Sequence, residues 1–570
     1  MKIALTFATL FALTLPSAFA QDINTREIDQ FVTTQMKRFD VPGVGLAIVK
    51  NGKIAYVKGY GVRDLKTNTP VNADTLFAIG SSSKSFTALG VMQQVDAGKL
   101  NLDAPVNKYL PELKFSDTTR GAKVTLRSLL SMTSGLPRSD FSWAFDETIN
   151  TRAKMLETIA GIGFTDNPGK VFGYSNQNFV AAGTALEAVT GQSWEAYTKA
   201  NIFAPLGMTR SVFEFSDAVK DGNYASGNSI SLQGVQGVPA FDRFVIAGPA
   251  GSIHSSVNEM ARYVAFQLGK GNLGGKQLIS GKQLKAMHTQ QIAVEEDFGI
   301  PGVAFTGYGF GWFTGEYRGI KIVEHGGNIN GFSASMQLIP AKGLGIVLLT
   351  NMDGAEDFGN ATRFGLLERI VNLQPHNDLK NASYPSLKAK LEAARTYKPT
   401  LEALNAAEGH YALITGDTLT VRVHDGKLEA TQSGQTFPLV AASASEFLVD
   451  LGSSLIEIEL RNGANGTVWL YQQGKLVGVR LPGGIPTASS ELRDLNGRYR
   501  LKLPAGQTTL NNAPTFTVTE YANFNAAFFF TSDAKATLEA SVEGLVRQVD
   551  VGFNIKPAQT TKLSPQNSIT

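Results

Sequence analysis

The chain of 570 residues contains no cysteine. Disulfide bonds, thiolate nucleophiles, cysteine-ligated zinc and a lipid anchor on an N-terminal cysteine are therefore all excluded. A large excess of one charge is absent as well. The formal net charge is +3, the pI is near 8.7, and no lysine- and arginine-rich run is present. This composition argues against nucleic acid as a partner, so the function must reside in a local site rather than in the overall charge.

Long hydrophobic runs are absent after the first 20 residues, so neither a transmembrane helix nor a stable membrane anchor is expected. The first 20 residues themselves have a positive start, an apolar run over 3–15 and an A-x-A cleavage motif that ends at Ala20. An anchor is the alternative interpretation, but the run is too short for one. We expect residues 1–20 to be a signal peptide and the mature protein, beginning at Gln21, to be periplasmic or secreted.

The segment 80–86, with the sequence GSSSKSF, separates an apolar extended stretch from an apolar helical one. Ser81 is therefore expected where a helix begins, with Lys84 on the same face and within reach of the Ser81 hydroxyl. The helix N-terminus supplies unpaired N–H groups for a developing oxyanion, which suits acyl transfer. The alternatives are an N-cap serine and a surface lysine, but a lysine among apolar residues requires a partner.

A second candidate element contains Tyr174 and Asn176, in a loop predicted to open a helix over residues 180–190. A neighbouring ammonium favours the phenolate form of Tyr174, which can then relay a proton between Ser81, the leaving group and the attacking water. The Asn176 amide can hydrogen-bond both Lys84 and a substrate amide. The alternative interpretation is an ordinary turn sequence.

The third candidate element is the HGGN segment from His325 to Asn328, predicted to follow a strand over 320–324. Its glycines, including Gly327, allow a substrate to approach the backbone, and the Asn328 N–H can serve as an oxyanion donor beside the Ser81 N–H. His325 would orient the substrate or the tyrosine proton. The alternatives are a flexible turn and a structural histidine. The other five histidines have no metal-ligand spacing, so neither a metal nor another cofactor is expected.

The three elements in this order resemble the serine beta-lactamase and penicillin-recognising family, whose pattern is S-x-x-K, S-D-N and K-T-G. The tyrosine and histidine variants are similar to the class C beta-lactamase branch and its relatives: D-Ala-D-Ala carboxypeptidases, D-aminopeptidases and family esterases. The flanking sequences LRSLLSMTSGLP at 126–137 and YGFGW at 308–312 are similar too. The resemblance covers about residues 23–373.

This resemblance implies a role for each residue of the three elements. Ser81 is the acylated nucleophile, and Lys84 and Tyr174 share the acid and base roles. The Ser81 and Asn328 amides form the oxyanion hole. The site is further lined by Asn176, His325 and Gly327.

One residue departs from the class C pattern. His325 stands where true class C beta-lactamases carry a lysine that helps to hold the substrate carboxylate, so efficient beta-lactam hydrolysis is not expected. Histidine at this position is common in the D-aminopeptidase-like and esterase-like relatives. Arg138 and Arg243 are loop residues that could supply a compensating charge.

The order of elements predicts an α+β fold. Strands from both ends of one domain form an antiparallel sheet flanked by helices, with a mostly helical insertion between them. After about residue 404, short alternating strands predict an all-β barrel-like region, similar to the lipocalin-like barrels behind the catalytic domain of D-aminopeptidase-type members. We assign 1–20 to the signal peptide, 21–375 to the hydrolase domain, 376–403 to a connector, 404–485 to the β domain and 486–570 to a further small β unit.

We expect an exported serine hydrolase that forms an acyl-enzyme on amide or peptide substrates with D-residues. The alternatives within enzymes are an esterase and a weak beta-lactamase, and the alternative of another class is a penicillin- or peptidoglycan-binding protein with little turnover. The expected partners are a small peptide, ester or beta-lactam-like substrate and peptidoglycan fragments. The β region is either a stabilising or oligomerising appendage or the source of a loop that limits substrate size.

Overall fold

The computed structural model describes residues 23–138, 148–239, 246–294, 299–376, 384–413, 418–432, 434–450, 455–463, 466–472 and 475–480, and the backbone of five short strands between residues 497 and 550. The predicted signal peptide lies outside these residues. The α-helices are α1 (Thr25–Arg38), α2 (Ser83–Asp96), α3 (Thr118–Gly121), α4 (Leu126–Leu130), α5 (Arg152–Gly161), α6 (Asn176–Thr190), α7 (Trp194–Thr198), α8 (Ala204–Leu206), α9 (Phe215–Asp221), α10 (Gly248–Gly251), α11 (Val257–Leu268), α12 (Gly281–Met287), α13 (Glu356–Ile370), α14 (Tyr384–Thr396) and α15 (Leu401–Ala407).

A nine-stranded antiparallel sheet organises the first domain, in the order β10-β11-β12-β13-β14-β15-β1-β2-β3. The strands of this domain are β1 (Gly43–Lys50), β2 (Lys53–Asp64), β3 (Thr69–Pro70), β4 (Phe77–Ala78), β5 (Asn228–Ser231), β6 (Gly234–Gly237), β7 (His254–Ser255), β8 (Asn272–Leu273), β9 (Lys276–Gln277), β10 (Ile292–Ala293), β11 (Val303–Tyr308), β12 (Phe313–Tyr317), β13 (Ile320–Ile329), β14 (Phe332–Ile339) and β15 (Leu344–Thr350).

The first and last strands of the domain meet in the middle of this sheet, because β1 pairs with both β2 and β15. The tight turn between β1 and β2 forms at Asn51 and Gly52, both with positive φ, as the Asn-Gly pair predicts. The predicted sheet built from both ends of the chain segment is therefore confirmed.

The two faces of β1 bury alternate residues against different layers. Leu46 and Ile48 pack with α1 and α13 around Phe364, whereas Ala47 and Val49 face the layer that contains α11 and α2. α2 lies inside the helical insertion, where α6, α7, α10 and α12 contact it. Because α2 is enclosed on nearly all sides, its buried residues lie all around the helix, which explains why its sequence shows no amphipathic stripe.

The C-terminal region contains a closed barrel of eight antiparallel strands, in which β16 also pairs with β23. Its strands are β16 (Gly409–Leu413), β17 (Thr418–His424), β18 (Lys427–Gln432), β19 (Gln435–Ala441), β20 (Glu446–Asp450), β21 (Leu455–Asn462), β22 (Val468–Gln472) and β23 (Lys475–Arg480). The later strands are β24 (Gly497–Arg500), β25 (Thr515–Tyr521), β26 (Phe524–Ala526), β27 (Thr537–Ala540) and β28 (Val546–Asp550). The predicted barrel-like region is thus confirmed.

Helix α14 and the β5–β6 hairpin lie between the sheet domain and the barrel. Leu391 of α14 packs with Leu448 and Leu455 of the barrel and with partly buried apolar residues of the hairpin. The Leu232 N–H at the hairpin tip donates to Asp450 Oδ2 at 3.1 Å, and Lys390 pairs with two barrel glutamates. Within the described residues, no helix has the length and apolar character needed to cross a membrane.

Candidate active site

Ser81 lies on a 3₁₀ turn, Gly80–Ser82, that joins β4 to α2. Its Oγ accepts a hydrogen bond from Lys84 Nζ at 2.8 Å. The spacing that the sequence suggested for these two side chains therefore produces a direct contact. Ser81 remains partly exposed, whereas Lys84 is completely buried, so the hydroxyl stands between solvent and a buried ammonium.

The Lys84 ammonium is held by a second element, the single helical turn α10. Pro249 occupies one of its first positions, where its missing N–H costs nothing. The carbonyl of Ala250 in this turn accepts from Lys84 Nζ at 2.7 Å. Thr87, one turn further along α2, donates to the Pro249 carbonyl at 2.7 Å, which fixes α10 against α2.

Tyr174 faces the same ammonium from the loop before α6. Lys84 Nζ lies 5.0 Å from the centre of the Tyr174 ring, and the guanidinium of Arg138 lies 5.7 Å from it. The ring also stacks on Phe313 with a centroid distance of 6.5 Å. The structure therefore brings Ser81, Lys84 and Tyr174 together and adds Arg138, while Arg243 lies outside the described residues.

Asn176 is the first residue of α6 and is almost fully buried. The sequence placed residues 172–179 in a loop, which is wrong for 176–179 because Ser175 adopts extended backbone angles at the N-cap and the helix starts directly after it. This early start fixes Asn176 beside Tyr174 at the end of a helix that packs against α2.

The HGGN segment lies inside a strand rather than after one. β13 continues to Ile329 because β14 pairs with it throughout, with Gly326 opposite Ser335 and Gly327 opposite Ala334. The expected strand end at residue 324 is therefore wrong. A neighbouring strand can hold glycines in extended conformation although they favour turns in isolation.

The absence of a side chain at Gly327 allows β13 to approach the turn Gly80–Ser82, which we call the nucleophile turn for the role predicted for Ser81. A Cβ atom at this position would lie 2.1 Å from the Ile79 carbonyl oxygen and 2.6 Å from the Ser81 nitrogen. A Cβ atom at Gly80 would likewise lie 3.0 Å from the Asn328 nitrogen. The backbone amides expected to form the oxyanion hole, those of Ser81 and Asn328, thus belong to two segments in direct contact.

His325 is buried and engaged at both ring nitrogens. Nδ1 lies 2.6 Å from the Gly326 carbonyl oxygen, which can only accept, so Nδ1 carries the proton. Nε2 then accepts from the Tyr308 hydroxyl at 3.0 Å. Burial, followed by the positive charge of Lys84, lowers the pKa of His325 to about 3. The imidazole is therefore neutral near pH 7 and cannot replace a lysine as a cation.

These residues surround a cleft with a volume of about 490 Å³. Five of the seven residues predicted from sequence line it: Ser81, Tyr174, His325, Gly327 and Asn328. Sequence reasoning missed Glu356, which also lines the cleft and whose Oε1 accepts from Asn328 Nδ2 at 2.6 Å. No local pattern links these two residues, which are 28 positions apart. The described residues contain no group of three or more His, Asp and Glu side chains that could hold a metal ion.

The cleft side of β13 has an open strand edge. β12 pairs with β13 only as far as Glu324, whereas β14 follows it to Ile329, so residues 325–329 have no second partner strand in the part of the chain that the structure describes. Backbone groups on such an edge can bind an extended substrate segment as an added strand.

Comparison with known proteins identifies relatives of the first domain. A family profile described as Beta-lactamase matches residues 28–368. Protein flp of Staphylococcus aureus (strain NCTC 8325) is 28% identical over 333 residues, which cover 58% of this chain and 63% of flp, less than two thirds of its length. The unguisins hydrolase ungD' of Aspergillus campestris is 25% identical over 512 residues, covering 81% of this chain and 94% of that protein.

Solved structures show the same fold. The penicillin-binding protein homologue of Pyrococcus abyssi, described as octameric, aligns with a TM-score of 0.55 and 25% identity, covering 80% of this chain and 100% of that one. The D-amino acid amidase of Ochrobactrum anthropi SV3, complexed with L-phenylalanine amide, aligns with a TM-score of 0.53 and 23% identity, covering 61% and 97%. At that identity the second likeness concerns the fold alone.

Proposed function

Because the chain belongs to the beta-lactamase family of serine hydrolases, we propose that Ser81 is its nucleophile and that it hydrolyses amide or peptide substrates with D-residues through an acyl-enzyme. The observation that carries the proposal is the 2.8 Å contact between Lys84 Nζ and Ser81 Oγ in the cleft. A hydroxyl in contact with a group that can accept and return its proton is the basic requirement for nucleophilic catalysis.

In acylation, Ser81 Oγ forms a bond to the substrate carbonyl carbon and the bond to the leaving amine breaks. The serine proton passes through the Lys84–Tyr174 pair to the leaving nitrogen. The negative charge on the carbonyl oxygen is stabilised by the Ser81 and Asn328 backbone N–H groups, for which donors fixed in advance are most effective. Lys84 and Tyr174 act as a coupled pair, so the base role belongs to both groups together.

In deacylation, the same groups transfer protons in the opposite direction. A water oxygen bonds to the acyl carbon, its proton enters the Lys84–Tyr174 pair, and the bond from the carbon to Ser81 Oγ breaks. The pair then returns a proton to the serine oxygen. Similarity over almost the whole length of a hydrolase supports turnover rather than binding alone.

The neutral His325 supports amides and peptides as substrates over beta-lactams. A lysine at this position would offer an ammonium to the substrate carboxylate, whereas the imidazole holds its proton against the Gly326 carbonyl. Arg138 is an exposed cation at the cleft, so a weak beta-lactamase or esterase activity belongs among the tested alternatives. We further propose that residues 1–20 direct export, which N-terminal sequencing of the mature protein from its host would test.

The test is intact-mass spectrometry of the purified mature protein with a D-alanyl p-nitroanilide, a p-nitrophenyl ester and a fluorescent penicillin, with released product followed in parallel. We expect an adduct that maps to Ser81, not to the neighbouring serines 82, 83 and 85, and that turns over fastest with the anilide. The Ser81→Ala variant should lose both adduct and turnover while remaining folded.

Two outcomes would redirect the proposal. A stable penicillin adduct at Ser81 with no turnover of any substrate would indicate a penicillin-binding protein. No adduct from any of the three reagents, with the fold intact by circular dichroism, would overturn the role of Ser81.

A further inference from the structure

The cleft continues around the open edge of β13 into a space on the opposite face of the sheet. Side chains alternate along a strand, so His325 and Gly327 face the nucleophile turn whereas Gly326 and Asn328 face α13. We call the space between β13, β14 and α13 the rear chamber. Its lining includes Glu324, Gly326, Ser335, Glu356, Asn360 and Arg363.

Two glycines keep the rear chamber open. A Cβ atom at Gly326 would have a single neighbour within 4 Å, the Ala334 carbonyl oxygen at 3.4 Å, and one at Gly359 of α13 would have none. The space is therefore not required for packing the sheet against the helix, and it communicates directly with the part of the cleft that contains Ser81.

The charges of the rear chamber are unbalanced. Its arginine, Arg363, is already paired with Glu324 at 2.8 Å, and both side chains are about 95% buried, with exposures of 6% and 5%. Glu356 accepts one hydrogen bond from Asn328 Nδ2 and remains accessible from the cleft. Partial loss of hydration within the cleft and the negative charges of Asp353 and Asp357 raise the pKa of Glu356, which indicates that the carboxylate would be stabilised by a cation.

A second feature lies beneath the lining of the chamber. The Arg363 Nε atom is buried and has no hydrogen-bond partner among the described residues. A buried donor without an acceptor costs free energy, about 1–3 kcal/mol in typical cases. The chamber therefore offers a polar ligand one accessible carboxylate, that of Glu356, beside an ion pair that is already satisfied.

We propose that the rear chamber is the subsite for a positively charged amine on the acyl portion of the substrate, with Glu356 as its ion-pair partner. The position of this subsite near the scissile carbonyl follows from Asn328. Its backbone N–H is assigned to the oxyanion hole, and its side chain holds Glu356. An amine close to the scissile carbonyl would thus meet the Glu356 carboxylate. The inference rests on the proposed function, since it assumes that the acyl carbonyl binds between Ser81 and Asn328.

The test measures binding without turnover, in the full mature chain with Ser81→Ala. Calorimetry compares D-phenylalanine amide, which has a free amine, with N-acetyl-D-phenylalanine amide, which does not. We expect the free amine to bind at least about tenfold more tightly, as for a hydrogen bond to a charged group. Adding Glu356→Gln should reduce that preference to within about twofold, and Glu356→Lys should reverse it.

The control is Glu112→Gln, an exposed glutamate in a loop that does not line the cleft, which should leave the preference unchanged. Thermal unfolding would verify that each variant is folded. Equal or tighter binding of the acetylated amide, or a preference that survives Glu356→Gln, overturns the subsite. If the preference is present but the wild-type protein forms no acyl-enzyme, the subsite stands and the proposed catalytic function fails.

Discussion

The two parts of the molecule are built on opposite principles. The sheet domain buries ionisable groups at its centre, including Lys84, Glu324 and His325. In the described part of the barrel no charged side chain is buried, and the buried Tyr411 hydroxyl donates to a backbone carbonyl. The barrel core consists of residues such as Leu428 and Phe447. Buried polar groups require specific partners and contribute little net stability. The comparison indicates that the sheet domain places buried polar groups of low net stability around the proposed active site, whereas the barrel is stabilised mainly by apolar packing.

The comparison is tested most strongly by Lys84→Met, which keeps the length of the side chain but removes the buried ammonium. We expect hydrolysis to fall by about 10²–10⁴-fold because the proton carrier beside Ser81 is lost. The free energy of unfolding should change by less than about 2 kcal/mol, since the lost hydrogen bonds are offset by removing a buried charge. Ester hydrolysis and urea unfolding measure the two effects.

In the barrel we expect the opposite result, in which a core substitution lowers stability and leaves activity intact. The matched variant is Phe447→Ala, which we expect to destabilise the barrel by about 3–5 kcal/mol while acylation of Ser81 persists. A Lys84→Met protein that is as active as the wild type, or strongly unfolded, would contradict the distinction between the two parts.

The next largest effect is expected for Gly327→Ala. The new methyl group would overlap the Ile79 carbonyl and the Ser81 nitrogen, so β13 must move away from the nucleophile turn. A displacement of this kind in the catalytic geometry costs about 10²-fold in rate. Stopped-flow acylation with a p-nitrophenyl ester would measure it.

The paired control for this change is Gly326→Ala, where the added methyl group has room. It should retain acylation within about threefold. Equal losses in the two alanine variants would mean that general flexibility of the strand, not close approach at Gly327, is what the site requires.

Acidic pH should lower the stability of the sheet domain more than that of the barrel. Burial lowers the pKa of His254 to about 4 and that of His325 to about 3, whereas His410 and His424 in the barrel are exposed. As the pH falls below about 6.5, the unfolded chain binds protons that the folded domain does not, so stability decreases. At pH 5 the loss is on the order of 2 kcal/mol for each buried histidine.

Hydrogen exchange at pH 7.5 and pH 5.0, with rates corrected for intrinsic pH dependence, would measure this stability loss separately in each part. We expect reduced protection in the sheet domain and little change in the barrel. The variant His254→Gln should remove part of the loss. Acid destabilisation that is equal in both parts would exclude the buried histidines as its cause.

The smallest effect concerns the contact between the two parts. Asp450→Ala removes the acceptor of the Leu232 N–H, a partly exposed hydrogen bond expected to contribute about 1 kcal/mol. Hydrolysis should change by less than about twofold because the hairpin retains its apolar contacts. Thermal unfolding and steady-state kinetics would check both, with the exposed barrel residue Arg422→Ala as the control. A large loss of activity would show that the barrel helps to shape the site.

Local features of the fold could be predicted from sequence because neighbouring residues determine them. Asn24 caps α1 by accepting from the Glu27 N–H, as asparagine directly before a helix favours. The contact of Ser81 with Lys84 follows from helix geometry in the same way. By contrast, β18 and β19 have weak strand signals in the sequence, because β18 is largely polar and Pro438 interrupts β19. These strands form because closure of the barrel provides partners on both sides.

The parts of the site that could not be predicted depend on contacts between distant segments. The Tyr308 hydroxyl that fixes His325 and the Glu356 carboxylate that holds Asn328 lie 17 and 28 positions from their partners. The continuation of β13 through its two glycines likewise depends on pairing with β14. Sequence thus indicates which groups are candidates for the chemistry, but the fold determines which groups orient them.

The open edge of β13 has a consequence for association between molecules. An exposed strand edge is a template for sheet formation with another chain, and proteins usually protect such edges. This edge is only five residues long, contains two glycines and lies within a cleft, and its Gly326 carbonyl already accepts a hydrogen bond from His325. A short peptide can pair with so small an edge, but a strand of a folded protein would find few free backbone groups there. The geometry that would admit a substrate segment therefore also protects against aggregation.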